Sequence, residues 1–152
     1  MERFLMHPLF IRVHGNQCIA QCEIPDSQEY TLHRLPVLTR ACTRSSSNLC
    51  CMEDALEHWI HRRNMNLIAS RIGVIDRQLK KIFLVDMVAT QNDDIIFICM
   101  IHTNKQIRKI QKEKARQYCE QVKQQAQRVF QIEPIVYALN IYNKDKLWSM
   151  RI

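Results

Sequence analysis

Seven consecutive apolar residues at positions 95–101, Ile-Ile-Phe-Ile-Cys-Met-Ile, constrain the fold of this chain most strongly. A strand with one face in water alternates apolar and polar side chains, whereas an uninterrupted apolar run is typical of a strand buried on both faces. The run therefore predicts a strand inside the sheet of an α/β protein. A chain of 152 residues is long enough for one such domain.

The residues around this run predict the element order helix, three strands, helix, strand. Apolar residues at three- and four-residue steps predict the helices, and β-branched and aromatic runs predict the strands. Thr103 or Asn104 is the expected cap of the second helix, and Pro134 ends that helix. The predicted elements are a helix at 49–63, strands at 67–76, 82–89 and 95–101, a helix at 104–131 and a strand at 135–142.

The first 48 residues have a different composition, with three of the four prolines and one of the two glycines. Residues 9–13 and 18–24 predict two short strands, and residues 14–17 between them predict a hairpin turn. We therefore expect a β-rich N-terminal appendage at 1–48 and one main domain at 49–152.

The formal charge of +7 comes from the last third of the chain. Residues 104–152 hold 11 lysines and arginines against 4 acidic residues, whereas residues 1–103 hold 11 of each sign. On a helix that turns about 100° per residue, six of these cations share one sector beside the apolar stripe. We call these six the basic ridge: Lys105, Arg108, Lys109, Lys112, Arg116 and Lys123. Such a ridge can bind nucleic-acid phosphates, or it can be a solvated face that keeps the protein soluble.

The sequence also bears on compartment and partners. No apolar run approaches the roughly 20 residues that span a bilayer, and the first residues lack the apolar core of a secretory signal. The odd count of seven cysteines predicts reduced thiols of an intracellular protein, cytoplasmic or nuclear. We expect DNA or RNA as the partner, no membrane and no small-molecule cofactor.

Four stretches in the second half of the chain resemble the C-terminal segment of non-LTR retrotransposon polyproteins. Residues 74–89, Val-Ile-Asp-Arg-Gln-Leu-Lys-Lys-Ile-Phe-Leu-Val-Asp-Met-Val-Ala, resemble the family's "VVIDKKxKKxxLIDVAV", and residues 91–93 follow where the family has "PND". Residues 112–118 resemble its "EKxxKY" helix, residues 128–130 its "RxW", and residues 134–139 its "PVVVGAL" strand. The matches follow the family's order over about residues 74–142.

This resemblance implies a restriction-endonuclease-like core of the PD-(D/E)XK type, in which paired carboxylates hold Mg²⁺ for phosphodiester cleavage. Asp86 matches the second carboxylate of the motif. The "PD" pair falls on Ser70-Arg71, or on Met65-Asn66 if a loop is inserted, and neither pair contains a carboxylate. Val88 stands at the position of the motif lysine.

The resemblance therefore leaves Asp86 as the one matching acid of a candidate catalytic site. Acidic residues that could complete a metal site with it are Glu53, Asp54 and Glu57 from the first helix, and Asp93 and Asp94. We take Asp86 and Glu57 as the candidate metal ligands. The alternative is that Asp86 is a structural strand acid that binds a nearby lysine or a backbone amide.

Other residues carry weaker hypotheses. Cys18 and Cys22, with His33, Cys42 and the pair Cys50-Cys51, could bind zinc, but structural zinc sites usually have two closely spaced ligand pairs. His58 and His61 lack the HExxH spacing and are interpreted as surface residues. Trp59 and Trp148 are expected to anchor the core or a sheet edge.

Together these features predict a degenerate nuclease-like domain of mobile-element origin that binds nucleic acid without cutting it. The first alternative is an active Mg²⁺-dependent endonuclease. The second is a structural or protein-interaction domain with no nucleic-acid role.

Overall fold

A computed structural model describes the backbone at residues 10–14, 17–19, 31–33, 55–101, 106–143 and 146–152. Its side chains are described at 55–101, 106–140 and 147–152. One helix, α1, is described over 55–62, and the long helix α2 covers Lys109–Phe130. The described strands are β1 Phe10–His14, β2 Gln17–Ile19, β3 Thr31–His33, β4 Asn66–Asp76, β5 Lys81–Gln91, β6 Asp94–Ile101, β7 Ile135–Asn143 and β8 Lys146–Arg151.

Within the described residues, all eight strands belong to one sheet. Seven follow the order β2-β1-β4-β5-β6-β7-β8, and β3 pairs with the beginning of β5. β4, β5 and β6 form an antiparallel meander. Asn92 and Asp93, with φ of 49° and 71°, make the tight turn between β5 and β6. β6 and β7 are parallel and are joined through α2, because parallel neighbours need a long crossover connection.

The sheet is covered on both faces. α2 packs on one face through Ala115, Tyr118 and Val122, and α1 packs on the other through Leu56 and Trp59. Every residue of β6 from 96 to 101 is buried. The mixed α/β class, the element order and the doubly buried strand are therefore as the sequence predicts.

The long helix begins later than predicted. Its N-cap is Arg108, whose backbone N–H donates to Gln111 Oε1 at 2.8 Å, rather than Thr103 or Asn104. Ile107 is 3% exposed and packs in the core, so the chain is fixed against the sheet before the helix starts. Thr103, Asn104 and Lys105 lie outside the described residues.

Two strands were not predicted. β8 alternates in facing, since Trp148 and Met150 pack against the α2 layer while Leu147 and Arg151 are exposed. This period of two is a strand signal, but it is only six residues long. β3, with three residues, is shorter still.

The described strands of the N-terminal segment join the same sheet as the rest of the chain. β1 and β2 pair antiparallel, as the predicted hairpin requires. β1 also pairs with β4, and β3 pairs with β5, so these strands extend the sheet of the main domain. Among the described residues, no helix is long and apolar enough to cross a membrane.

Candidate nucleic-acid interface

β5 and β6 separate beside Asp86. Their ladder runs from Gln91↔Asp94 to Met87↔Ile98, and β6 then continues against β7. In the opening, Asp86 Oδ2 accepts a hydrogen bond of 2.6 Å from the backbone N–H of Met100. Met100 is 2% exposed, so the carboxylate satisfies an amide that would otherwise be costly to bury.

The ladder between β4 and β5 shifts register between Leu67 and Ala69, and further along it has no pair at the level of Asp86. The pairs Ser70↔Met87 and Ile72↔Val85 lie on either side of this level, so Arg71 falls opposite Asp86. Arg71 has φ of 54°, in the left-handed region that an arginine seldom occupies.

Both strands reverse their side-chain alternation here. On β4, Ala69 and Ile72 both pack toward α2, although they are three residues apart. On β5, Val85 and Val88 do the same. In a regular strand only residues an even number apart share a face, so the Arg71–Asp86 level is a kink common to both strands.

Buried polar groups of the α2 layer lie near Asp86. The hydroxyl of Tyr118 donates to the Leu84 carbonyl at 2.7 Å. The pKa of Tyr118 is raised well above its ordinary value, first by burial and then by Cys99 and the charge of Asp86. The pKa of Cys99 is also raised, first by its hydrogen bond with Cys119 and then by burial. The buried Tyr118 and Cys99 beside Asp86 therefore resist ionisation, and this part of the core disfavours further negative charge.

The structure does not assemble a metal site around Asp86 in its described part, where no group of three or more histidines, cysteines or acidic residues could hold a metal ion. Asp94 pairs with Gln91, five residues along β5 from Asp86, which is a distance of about 17 Å on an extended strand. Asp93 lies in the turn beyond it. Between Ile95 and Ile101, β6 contributes no carboxylate.

The acidic residues of the first helix are placed only in part. Glu57 is exposed on α1 and lines an open hollow of about 590 Å³ with His58 and His61. The exposure of both histidines agrees with their interpretation as surface residues. Glu53 and Asp54 lie outside the described residues, as do the side chains of Cys18, Cys22 and His33 in the zinc hypothesis. Cys42, Cys50 and Cys51 lie outside them as well.

The cations of the basic ridge have different surroundings along α2. Arg108 and Lys109 are exposed at its N-terminal end. Lys112 Nζ lies 5.6 Å from the centroid of the Trp148 ring, within the range of a cation–π contact. Further along, Lys123 Nζ donates to the Ile152 main-chain oxygen at 3.4 Å.

Arg116, in the middle of the ridge, is paired with two acids. Its guanidinium bonds Glu113 one turn before it and Glu120 one turn after it, the latter at 2.9 Å. The hydrogen bond from Arg116 lowers the pKa of Glu113, so this carboxylate stays charged to a lower pH than an ordinary glutamate. One positive charge thus faces two negative ones, so the electrostatic attraction of the ridge is weakest here.

The two tryptophans have anchoring positions, as predicted. Trp59 is buried, and its ring meets that of Tyr137 edge to face at 5.3 Å. The guanidinium of Arg63 lies 4.4 Å from the Trp59 ring centroid. Trp148 is partly buried under α2.

Sequence reasoning missed an ion pair between a buried acid and a partly exposed arginine at the other end of α2. Asp76 is 1% exposed at the end of β4 and accepts the backbone N–H groups of Gln78 and Leu79 at 3.0 and 3.1 Å. Its second oxygen binds Arg128, near the C-terminal end of α2. The position of Asp76 at the end of a strand, before a polar turn, could have predicted its two bonds to backbone N–H groups. Its pairing with Arg128, 52 residues away, could not be predicted from local sequence.

Two comparisons, with protein-family models and with curated proteins, give no relative for this chain. No protein-family model matches it, and no curated protein matches it. The resemblance to retrotransposon polyproteins therefore stays a prediction that depends on the quoted motifs.

Proposed function

We propose that this chain is a degenerate nuclease-like domain of mobile-element origin that binds the backbone of DNA or RNA and does not cut it. The observation that carries the proposal is the position of Asp86. The one motif carboxylate lies where β5 and β6 separate, is bonded to the Met100 amide, and has no second carboxylate beside it on β6.

The fold supports a restriction-endonuclease-like core. Helix α1, the antiparallel meander β4–β5–β6, helix α2 and the parallel strand β7 follow the αβββαβ order of that core. Asp86 then lies on its second strand, at the point where that strand and the third diverge.

The chemistry argues against cleavage. Mg²⁺ binds through oxygen ligands and activates water or stabilises charge on the phosphate. The β6 side chains nearest the Asp86 level, Ile98, Cys99 and Met100, are apolar or a buried thiol and provide no such oxygen. One carboxylate whose oxygen already accepts a backbone hydrogen bond is a poor magnesium site.

Binding is supported by the N-terminal end of α2. Arg108 and Lys109 are exposed there, and the first backbone N–H groups of a 22-residue helix favour anions. Lys112 lies one turn further, over Trp148. These cations form the part of the basic ridge that is best placed for phosphates.

The proposal is tested by binding and cleavage with the same protein. Anisotropy with labelled duplex DNA and single-stranded RNA across a salt series should show binding that weakens with salt, with a log–log slope of about 0.9 per phosphate contact on duplex DNA. The double variant Arg108→Ala/Lys109→Ala should lose affinity and reduce the slope. Arg77→Ala/Lys80→Ala removes the same charge from the exposed β4–β5 turn and should bind like wild type.

Cleavage of supercoiled plasmid with Mg²⁺ or Mn²⁺ separates the alternatives. We expect no cleavage above that of Asp86→Ala. Cleavage by wild type that is abolished both in Asp86→Ala and in a folded Asp86→Asn would instead establish the active endonuclease. Absence of binding to either nucleic acid at low salt would favour an interaction domain with no nucleic-acid role.

A further inference from the structure

Arg71 has a left-handed backbone conformation inside a strand, at the kink of β4 and β5. Among the described non-glycine residues with positive φ, Asn64, Lys80, Asn92 and Asp93 lie in turns, and Gln131 ends α2. Arg71 alone of this set lies inside a strand. A left-handed residue with a Cβ is strained, and such strain is often kept at functional sites.

An acidic residue lies across from Arg71 on the neighbouring strand. Arg71 stands opposite Asp86, at the level where β4 and β5 both reverse their alternation. Opposite charges at facing positions of antiparallel strands attract each other. Arg71 is exposed, whereas Asp86 is half-buried and bonded to Met100, so Arg71 is the more accessible of the two side chains to solvent and ligands.

The negative charge of a carboxylate such as Asp86 repels a phosphate. A guanidinium has five N–H donors in a planar fork and can bind a carboxylate and a phosphate oxygen together. A divalent cation performs the same bridging in a metal-dependent nuclease. A fixed arginine charge at this position also disfavours binding of a second cation.

We infer that Arg71 contacts a nucleic-acid phosphate beside Asp86 and supplies there the positive charge that a metal ion would otherwise supply. This inference rests on the proposed function and deepens it. It requires that backbone binding proceeds without divalent cations.

The chain offers a matched pair of variants for the test. Arg71→Gly removes the charge and also removes the strain, because glycine adopts positive φ readily, so the variant should fold with a melting temperature at or above that of wild type. Lys80→Gly makes the same two changes in the β4–β5 turn, where φ is 51°. Arg71→Lys keeps the charge and should keep part of the affinity.

Binding of labelled duplex DNA is measured by anisotropy with EDTA and with Mg²⁺. We expect wild type to bind with EDTA present and to gain no affinity from Mg²⁺, about tenfold weaker binding by Arg71→Gly, and wild-type affinity for Lys80→Gly. The salt slope of Arg71→Gly should fall by about 0.9.

The outcomes that overturn the inference are distinct from those that overturn the proposed function. Equal affinities of Arg71→Gly and Lys80→Gly, or binding that requires Mg²⁺, would overturn the role of Arg71 while nucleic-acid binding stands. A wild-type protein that binds no nucleic acid at low salt would overturn both.

Discussion

Asp86 Oδ2 lies 2.6 Å from the backbone nitrogen of Met100, so a side chain of β5 replaces the main-chain acceptor that a continuous ladder would provide. β6 still pairs with β7 at this level, where Met100 faces Leu139. The carboxylate therefore holds together two strands that separate, which is a structural task independent of any metal.

Removal of the Asp86 carboxylate should destabilise the fold. Asp86→Ala leaves the buried Met100 N–H without this acceptor, and we expect a loss of about 1–3 kcal/mol in the free energy of unfolding. Asp86→Asn should lose less, because an amide oxygen can still accept the hydrogen bond. Urea denaturation of the three proteins measures both effects.

The relative stabilities of Asp86→Ala and Asp86→Asn show which property of the carboxylate matters. Equal stability of Asp86→Ala and wild type would mean that the bond to Met100 contributes nothing. Asp86→Asn as unstable as Asp86→Ala would mean that the charge of the carboxylate matters rather than its role as an acceptor. Ser149→Ala, a partly buried position on β8, serves as a control for general sensitivity to substitution.

The contact between Asp76 and Arg128 should also contribute to stability. Asp76→Ala removes, at a buried position, the acceptor of two backbone N–H groups. We therefore expect the free energy of unfolding to fall by about 3 kcal/mol. Arg128→Ala should cost less, about 1 kcal/mol, because Arg128 is 43% exposed and water screens its charge. Thermal and urea unfolding check the difference, and a larger loss for Arg128→Ala would contradict it.

Local periodicity made the main elements of the fold predictable. The apolar run of β6 indicated a doubly buried strand, and the spacing in α2 indicated the face that Ala115 and Val122 bury. The pairing of Arg116 with Glu113 and Glu120 follows from their i, i+3 and i, i+4 spacing and was available in the sequence.

The kink at Arg71 and Asp86 could not be predicted in the same way. A reversal of alternation depends on which strands pair and where they separate, and those are tertiary relationships. The opening between β5 and β6 depends in turn on β6 continuing against β7. Sequence therefore indicated the candidate acid, while its partner Met100 and its opposite residue Arg71 required the structure.

Tyr118 should make the protein sensitive to alkaline pH. Its folded pKa is raised above the unfolded value of about 10, mainly by burial, so the unfolded chain loses this proton first. Its contribution to stability is complete below about pH 10 and is lost as pH rises through the folded pKa. Tyr118→Phe should lose about 1 kcal/mol at neutral pH, with the bond to the Leu84 carbonyl, yet show a shallower alkaline decline.

Unfolding measured at a series of alkaline pH values, with tyrosinate absorbance recorded in parallel, checks this prediction. In wild type, part of the tyrosinate signal should appear only with unfolding, and Tyr118→Phe should lack that part. The raised pKa of Cys99 also lowers stability as pH rises and should persist in the variant. Ionisation of all tyrosines before unfolding would show that Tyr118 is not buried as described.

The acids that flank Arg116 should limit nucleic-acid binding. Glu113→Gln/Glu120→Gln removes both carboxylates that Arg116 binds and leaves its charge available to phosphates. We expect stronger binding of duplex DNA and a salt slope steeper by about 0.9, the effect of one additional phosphate contact. Glu133→Gln/Asp94→Asn, at two exposed positions outside α2, changes the net charge by the same amount and is the control. Repeating the measurement with Arg116→Ala added should restore the wild-type slope. An unchanged slope in the double variant would mean that phosphates do not approach α2 at Arg116.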